Sequence, residues 1–241
     1  MRWLGVGLAS VLAVVTIGLA LTGRLALYIS PESSWFAVGM SVIILIGAIA
    51  SFALPLGAEA DHGHDHDHDH AHDGPKRVLG AGLVGLGGLA ASAVVVGTLV
   101  LPPASLSAEL AMSRDIGTPP LFAGADAVTL ATTGDTQSFG VGEWSAVFAT
   151  ATNPDSFDGD AVTLTGFVTP GGDGFSLTRL VITHCVIDAQ PASVPIAATD
   201  TPETGQWVTV EGTVRASADG TLTIDAAEVT AIDEPGDPYE Y

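Results

Sequence analysis

The chain has 241 residues, of which 47% are hydrophobic and only 14% are charged, a combination that a single water-soluble domain rarely shows. Its formal net charge of −20 argues against nucleic-acid binding, which needs a basic surface to displace condensed counterions. The single cysteine, Cys185, excludes an internal disulfide and a Cys-x-x-Cys zinc or redox pair.

Three long apolar segments, at residues 3–22, 35–54 and 78–101, dominate the first part of the chain. A helix of about 20 residues covers the roughly 30 Å hydrocarbon core of a bilayer, and none of the three shows the polar stripe of a soluble surface helix. We therefore predict a transmembrane domain with three helices over residues 1–103. For the first segment the alternative is a cleavable signal peptide, because Arg2 precedes the apolar run.

Basic residues beside the spans predict the orientation of the chain in a cell membrane. With three spans, Arg2, Lys76 and Arg77 share one side of the membrane, and Arg24 and Arg114 share the other. The excess on the first side predicts that the N-terminus and the loop between the second and third spans are cytoplasmic, and that the C-terminal domain is extracytoplasmic.

The loop between the second and third spans contains six of the seven histidines in the chain. Imidazole nitrogens bind zinc, nickel, cobalt and copper, and carboxylates can complete the coordination shell, so loop 61–73 predicts a divalent-metal site, with zinc the first expectation. A solvated hydrophilic linker and a pH-sensing loop are the alternatives. The predicted ligands are His62, His64, His66, His68, His70, His72, Asp65, Asp67 and Asp69.

After a Pro- and Gly-containing connector at residues 104–125, residues 126–241 form a strongly acidic region that contains short β-type segments. Alternation and turn signals predict an all-β domain, and glycines inside two similar strands, Gly166 and Gly212, favour a small OB-like barrel over a β-sandwich. Trp144 and Trp207 are expected in its core. The predicted strands are 161–169, 175–183, 193–198, 206–215, 221–224 and 227–232.

A distinctive stretch of the β-domain places an imidazole, a thiol and a carboxylate within five residues. His184, Cys185 and Asp188 could form a second metal site, although a fourth ligand is not apparent. Two alternatives remain: a catalytic thiol at Cys185, or a structural role in which Cys185 is a small buried side chain and Asp188 caps a turn.

The order of span, Tyr28-Ile29 and Pro31 connector, span, histidine tract, span and β-domain resembles the YcgQ-like family of uncharacterised bacterial membrane proteins. Members of this family typically show Cys-Cys, a hydrophobic pair and Asp-Ala, and this chain has His184 in place of the first cysteine, followed by Cys185 to Ala189. The resemblance implies a multi-span permease as partner and a role in divalent-metal handling.

These features together predict an accessory, non-enzymatic subunit of a membrane permease complex that binds or senses divalent metal. Spans without charged residues make a poor ion pathway, so transport would need a partner or a homo-oligomer, and lipid surrounds the helices. The alternatives are a membrane-anchored thiol or redox protein that uses Cys185, and a structural anchor without a metal role.

Overall fold

The computed structural model describes residues 2–53, the pairs 89–90, 92–93 and 96–97, residue 106, and residues 108–113, 136–172 and 174–241. The chain divides into two compact units. The first comprises residues 1–26 and 31–103, and the second comprises residues 27–30 and 104–241. The short connector at 27–30 therefore belongs to the unit that contains the C-terminal domain.

The first unit contains helix α1 (Arg2–Leu21) and helix α2 (Pro31–Ala53), which contact each other. Proline suits the first turn of α2, because N–H groups in the first turn have no acceptor within the helix and proline has no N–H. Within α2, Pro31–Ser51 is long and apolar enough to cross a membrane, and Gly5–Leu21 of α1 is a shorter apolar helix. Most of the third predicted span lies outside the described residues, and those described at 89–97 are helical.

Among its described residues, the second unit contains two α-helices and six strands. Its helices are α3 (Ala108–Ser113) and α4 (Val141–Thr150). The strands are β1 (Ala161–Pro170), β2 (Gly174–Val181), β3 (Gln190–Ala197), β4 (Trp207–Ala216), β5 (Leu222–Ala231) and β6 (Tyr239–Glu240).

Strand pairing in this domain runs β1–β4–β5–β3–β2–β6, and β1 also pairs with β2. The first five strands therefore form a closed circuit of pairings. The β3–β5 and β2–β6 pairs are parallel, and the other pairs are antiparallel. A register shift in the β4–β5 pair falls between Glu211 and Gly212, which confirms the predicted irregularity at that glycine.

The main core of the domain lies between α4 and the sheet. Trp144 is fully buried at its centre, in edge-to-face contact with Phe139, Phe148 and Phe157. A smaller cluster joins Ala111 of α3 to the sheet, and the partly buried Trp207 packs against it. Trp144 therefore lies in the core, as predicted, whereas Trp207 is only partly buried.

The predicted strands 161–169 and 206–215 correspond closely to β1 and β4, and 175–183 and 193–198 to β2 and β3 with shifted ends. Two predictions were wrong. The segments 221–224 and 227–232 form one strand, β5, and the domain is not all-β because α4 packs on the sheet. The predicted connector 104–125 also contains α3.

Candidate functional site

Asp188 organises the loop between β2 and β3. Its carboxylate accepts backbone N–H hydrogen bonds from Thr183 at 3.0 Å, His184 at 3.0 Å and Cys185 at 3.1 Å. Burial acts to raise its pKa, but these three donors and the nearby His184 imidazole outweigh that effect, and the pKa of Asp188 lies below its ordinary value. The structural alternative for Asp188, the cap of a turn, is therefore confirmed.

The same loop holds the connector at residues 27–30 by strand pairing. Ile29 forms an antiparallel bridge with Cys185, and the Ser30 N–H donates to the His184 carbonyl at 3.0 Å. In the other direction, the Val186 N–H donates to the Tyr28 carbonyl at 2.9 Å. The backbone of the loop that carries His184, Cys185 and Asp188 thus binds a segment more than 150 residues earlier in the sequence.

The side chains of the predicted second metal site are only partly brought together. His184 Nδ1 lies 3.6 Å from Asp188 Oδ2, with the His184 side chain 80% exposed and that of Asp188 31% exposed, and Cys185 is half-buried. In the part of the chain that the structure describes, no three His, Cys, Asp or Glu side chains are grouped closely enough to hold a metal ion. All nine predicted ligands of the 61–73 loop lie outside the described residues.

Arg179 on β2 fixes the last strand to the sheet. Its guanidinium donates to four backbone carbonyls, those of Pro238, Asp237 and Tyr239 near β6 and that of Thr165 in β1. It also stacks over the Trp207 ring, with its Cζ 5.4 Å from the ring centroid. One of the two basic residues in the domain is thus used for structure.

Glu240 in β6 caps the N-terminus of α4. Its carboxylate accepts hydrogen bonds from the backbone N–H groups of Val141 at 2.9 Å and Gly142 at 2.6 Å. Desolvation raises the pKa of Glu240, although these N–H donors oppose the shift. A Cβ at position 140 would lie 2.6 Å from Glu240 Oε1, so any larger residue there would have to displace this carboxylate. No local pattern in the sequence predicts this contact, because it joins residues about 100 positions apart.

The chain has a helical N-terminal part with an apolar helix, and a C-terminal domain whose six-stranded sheet is accompanied by the pairing of Tyr28–Ser30 with the 184–186 loop. Models of one family, DUF1980, match both parts: the DUF1980 N-terminal domain matches residues 7–117, and the DUF1980 C-terminal domain matches residues 144–241. The chain belongs to this uncharacterised family. No curated protein matches the chain.

Proposed function

We propose that this protein is a non-enzymatic accessory subunit of a membrane permease complex, which binds or senses a divalent metal ion on one side of the membrane and presents a β-domain on the other. Within DUF1980 we assign it to the YcgQ-like members. The observation that carries the two-sided arrangement is the pairing of Tyr28–Ser30 with the 184–186 loop.

The pairing constrains the number of membrane crossings. Residues 27–30 lie between α1 and α2, so a membrane-spanning α2 takes the chain away from the side on which the connector lies. The β-domain pairs with that connector, so in this proposal the chain crosses the membrane again between residues 54 and 103. The apolar segment 78–101 is long enough for this crossing, which supports three spans.

This topology separates the histidine tract from the β-domain. Loop 61–73 follows α2 and precedes the third span, so it lies on the side opposite to the connector and the β-domain. The basic residues Lys76 and Arg77 favour the cytoplasm for that loop. The proposed metal site, with zinc as the first expectation and nickel, cobalt or copper as alternatives, is then cytoplasmic, and the β-domain is extracytoplasmic.

The β-domain has the pairing order of an OB-like barrel. Five strands pair in the closed order β1–β2–β3–β5–β4–β1 with β3 and β5 parallel, and the bulge at Gly212 provides the bend that closure of a small barrel needs. Because one fold hosts many functions, an OB-like barrel by itself assigns neither a ligand nor a reaction to this domain.

A need for a partner follows from the helices. The apolar side chains of α2 point outward along most of its length, and the only charged residue of α2 is Glu32 in its first turn. A helix pair without charge near the bilayer midplane provides no polar pathway for an ion, so transport requires another subunit or a homo-oligomer. Outward apolar side chains are suited to contact lipid or the helices of a permease.

The metal-binding part of the proposal is tested by calorimetric titration of the purified full-length protein in detergent with zinc, nickel, cobalt and copper. We expect saturable binding at micromolar concentrations, lost when the six loop histidines are changed to alanine and kept in the matched variant His184→Ala/Cys185→Ser. Binding that survives the loop substitutions, or no binding by the unmodified protein, would refute the loop as the metal site.

The topology is tested by labelling with a membrane-impermeant maleimide in intact cells. In a Cys185→Ser background, a cysteine at the exposed Asp200 should react from outside, whereas a cysteine at His68 should react only after the membrane is opened. Equal labelling of both positions in intact cells would contradict the two-sided arrangement.

A further inference from the structure

The two arginines of the β-domain differ in how they are used. Arg179 donates to four carbonyls, whereas Arg215 on β4 is exposed and has no carboxylate within 4.0 Å among the described residues. Residues 115–241 carry 19 acidic residues and only these two basic ones. A free guanidinium on so acidic a domain is therefore an isolated positive site.

Arg215 lies in an open cleft of about 870 Å³. The cleft is bounded by α4, by the ends of β2 and β3, and by the β4–β5 hairpin. Its walls include apolar side chains, Phe148 and Pro195 among them, and hydroxyl groups such as those of Ser176 and Ser217. This combination of an apolar wall with a few polar groups is typical of small-molecule sites.

A carboxylate shares the cleft with Arg215. Arg215 pairs with Thr223 across β4 and β5, and Thr213 pairs with Asp225, so all four side chains point to the same face. Arg215 and Asp225 are diagonal neighbours on that face and do not form an ion pair with each other. The cleft therefore offers one positive and one negative group to a ligand.

The cleft runs along most of β3, from Pro191 to Ala197, and along the start of β2 at Phe175 and Ser176. Its two charged side chains, Arg215 and Asp225, are exposed, so a ligand dissolved in the aqueous phase can reach them.

We propose that this cleft binds a small, water-soluble zwitterion of the amino-acid or short-peptide class. Its carboxylate would meet Arg215, its ammonium group would meet Asp225, and an apolar side chain would pack against Phe148 and Pro195. A zwitterion has no net charge and can pair with both groups. The acidic domain repels a polyanion, and a simple cation makes no favourable contact with the Arg215 guanidinium. The site is independent of the metal loop and goes beyond the proposed function.

The probe is the dipeptide glycyl-L-leucine. It is titrated into the full-length protein, which is held in lipid nanodiscs in a buffer that contains a metal chelator. Ligand-observed saturation-transfer NMR should show saturable binding at concentrations below about 10 mM, the range expected for two exposed charge contacts and a partly apolar cleft. Arg215→Gln and Asp225→Asn should each weaken binding by about tenfold, because each removes a charge-assisted contact. Both residues are exposed, so these substitutions leave the core intact.

Controls distinguish the two charge contacts. N-acetyl-glycyl-leucine should be affected only by Arg215→Gln, glycyl-leucinamide only by Asp225→Asn, and the exposed Glu203→Gln variant should bind as the unmodified protein does. No saturable binding of glycyl-L-leucine, or binding that both cleft variants retain, would overturn the proposal. The chelator removes metal from the experiment, so neither of these results bears on the metal-loop proposal.

Discussion

The helices and the β-domain place their apolar side chains in opposite ways. In α1 and α2 large apolar side chains such as Leu12, Ile43 and Ile49 are exposed, whereas in the β-domain they fill the core and only a few, such as Ile187, are exposed. Two tryptophans illustrate the contrast: Trp35 in α2 is 75% exposed, and Trp144 in α4 is completely buried.

This difference shows which surroundings each part is built for. Water-soluble domains rarely expose so continuous an apolar surface, and where they do it is a site of contact with a membrane or another protein. The outward side chains of α2 suit a bilayer or partner helices, while the β-domain has the interior of a protein that folds in water. Substitution of an apolar side chain should therefore lower the stability of the fold in the β-domain and impair membrane insertion in the helices.

The largest effect is expected for Trp144→Ala in the core of the β-domain. The loss of a fully buried indole and of its contacts with Phe139, Phe148 and Phe157 should lower the free energy of unfolding by about 3–5 kcal/mol. Circular dichroism during chemical denaturation of the full-length protein measures the change.

Trp144→Phe is the matched control. It keeps an aromatic ring and removes the indole N–H, which is buried without a hydrogen-bond partner among the described residues. Its cost should be clearly smaller than that of the alanine variant. If the two variants were equally unstable, aromatic packing would not be what makes this position important.

A charge in the middle of α2 should have the next largest effect. Ile43 is 60% exposed, and Ile43→Asp should raise the free-energy cost of membrane insertion by about 3–4 kcal/mol. The measurement is the fraction of protein that stays in the membrane pellet after carbonate extraction, with Ile43→Leu as control. An unchanged fraction for the aspartate variant would show that this side of α2 does not face lipid or partner helices.

A smaller effect is expected for Glu240→Ala. The substitution leaves the N–H groups of Val141 and Gly142 without their acceptor, which should cost about 1–3 kcal/mol. Because the folded-state pKa of Glu240 is raised, the folded protein takes up a proton before the unfolded chain does. The difference in free energy of unfolding between the unmodified protein and the variant should therefore grow as the pH falls from above that raised pKa toward the ordinary value of 4.5.

Thermal unfolding at several pH values measures this advantage, and Glu203→Ala, at an exposed position, is the control. The difference in Tm between the unmodified protein and Glu240→Ala should increase on acidification and then level off. A difference that shrinks on acidification would mean that the carboxylate gains more from its N–H donors than it loses by desolvation.

The smallest effect is expected for Ile187→Ser, at the most exposed large apolar side chain of the β-domain. Ile187 is 83% exposed, so its replacement should change the free energy of unfolding by no more than about 0.5 kcal/mol. Chemical denaturation of the purified protein checks this. A larger loss would contradict the exposed position of this side chain.

Local patterns in the sequence predicted most of the strands but not the helix that packs on them. The alternation of apolar and polar side chains identifies β1 and β4 as strands. It does not say which strands pair, because β1 pairs both with the adjacent β2 and with the distant β4. Helix α4 follows Gly140 and includes Gly142. It lacks the Ser, Thr, Asp or Asn cap by which the start of a helix is recognised in a sequence. Its cap, Glu240, comes from the end of the sheet, which only the folded chain reveals.

The loop at 183–188 shows the same limit for the candidate site. Its composition suggested a metal or thiol site, and local reasoning could also assign Asp188 to a turn, which the structure confirms. The pairing of its backbone with Tyr28–Ser30 has no local signal, since backbone hydrogen bonds leave no mark on side-chain composition. The metal prediction for loop 61–73 depends on composition alone and stays a prediction.

The pairing of Tyr28–Ser30 with the 184–186 loop also orders events during synthesis. The connector is synthesised more than 150 residues before its partner loop, and Glu240 can cap α4 only after β6 has been made. The connector therefore stays unpaired while the residues between it and the 184–186 loop are synthesised, and α4 lacks its Glu240 cap until the sheet gains its sixth strand.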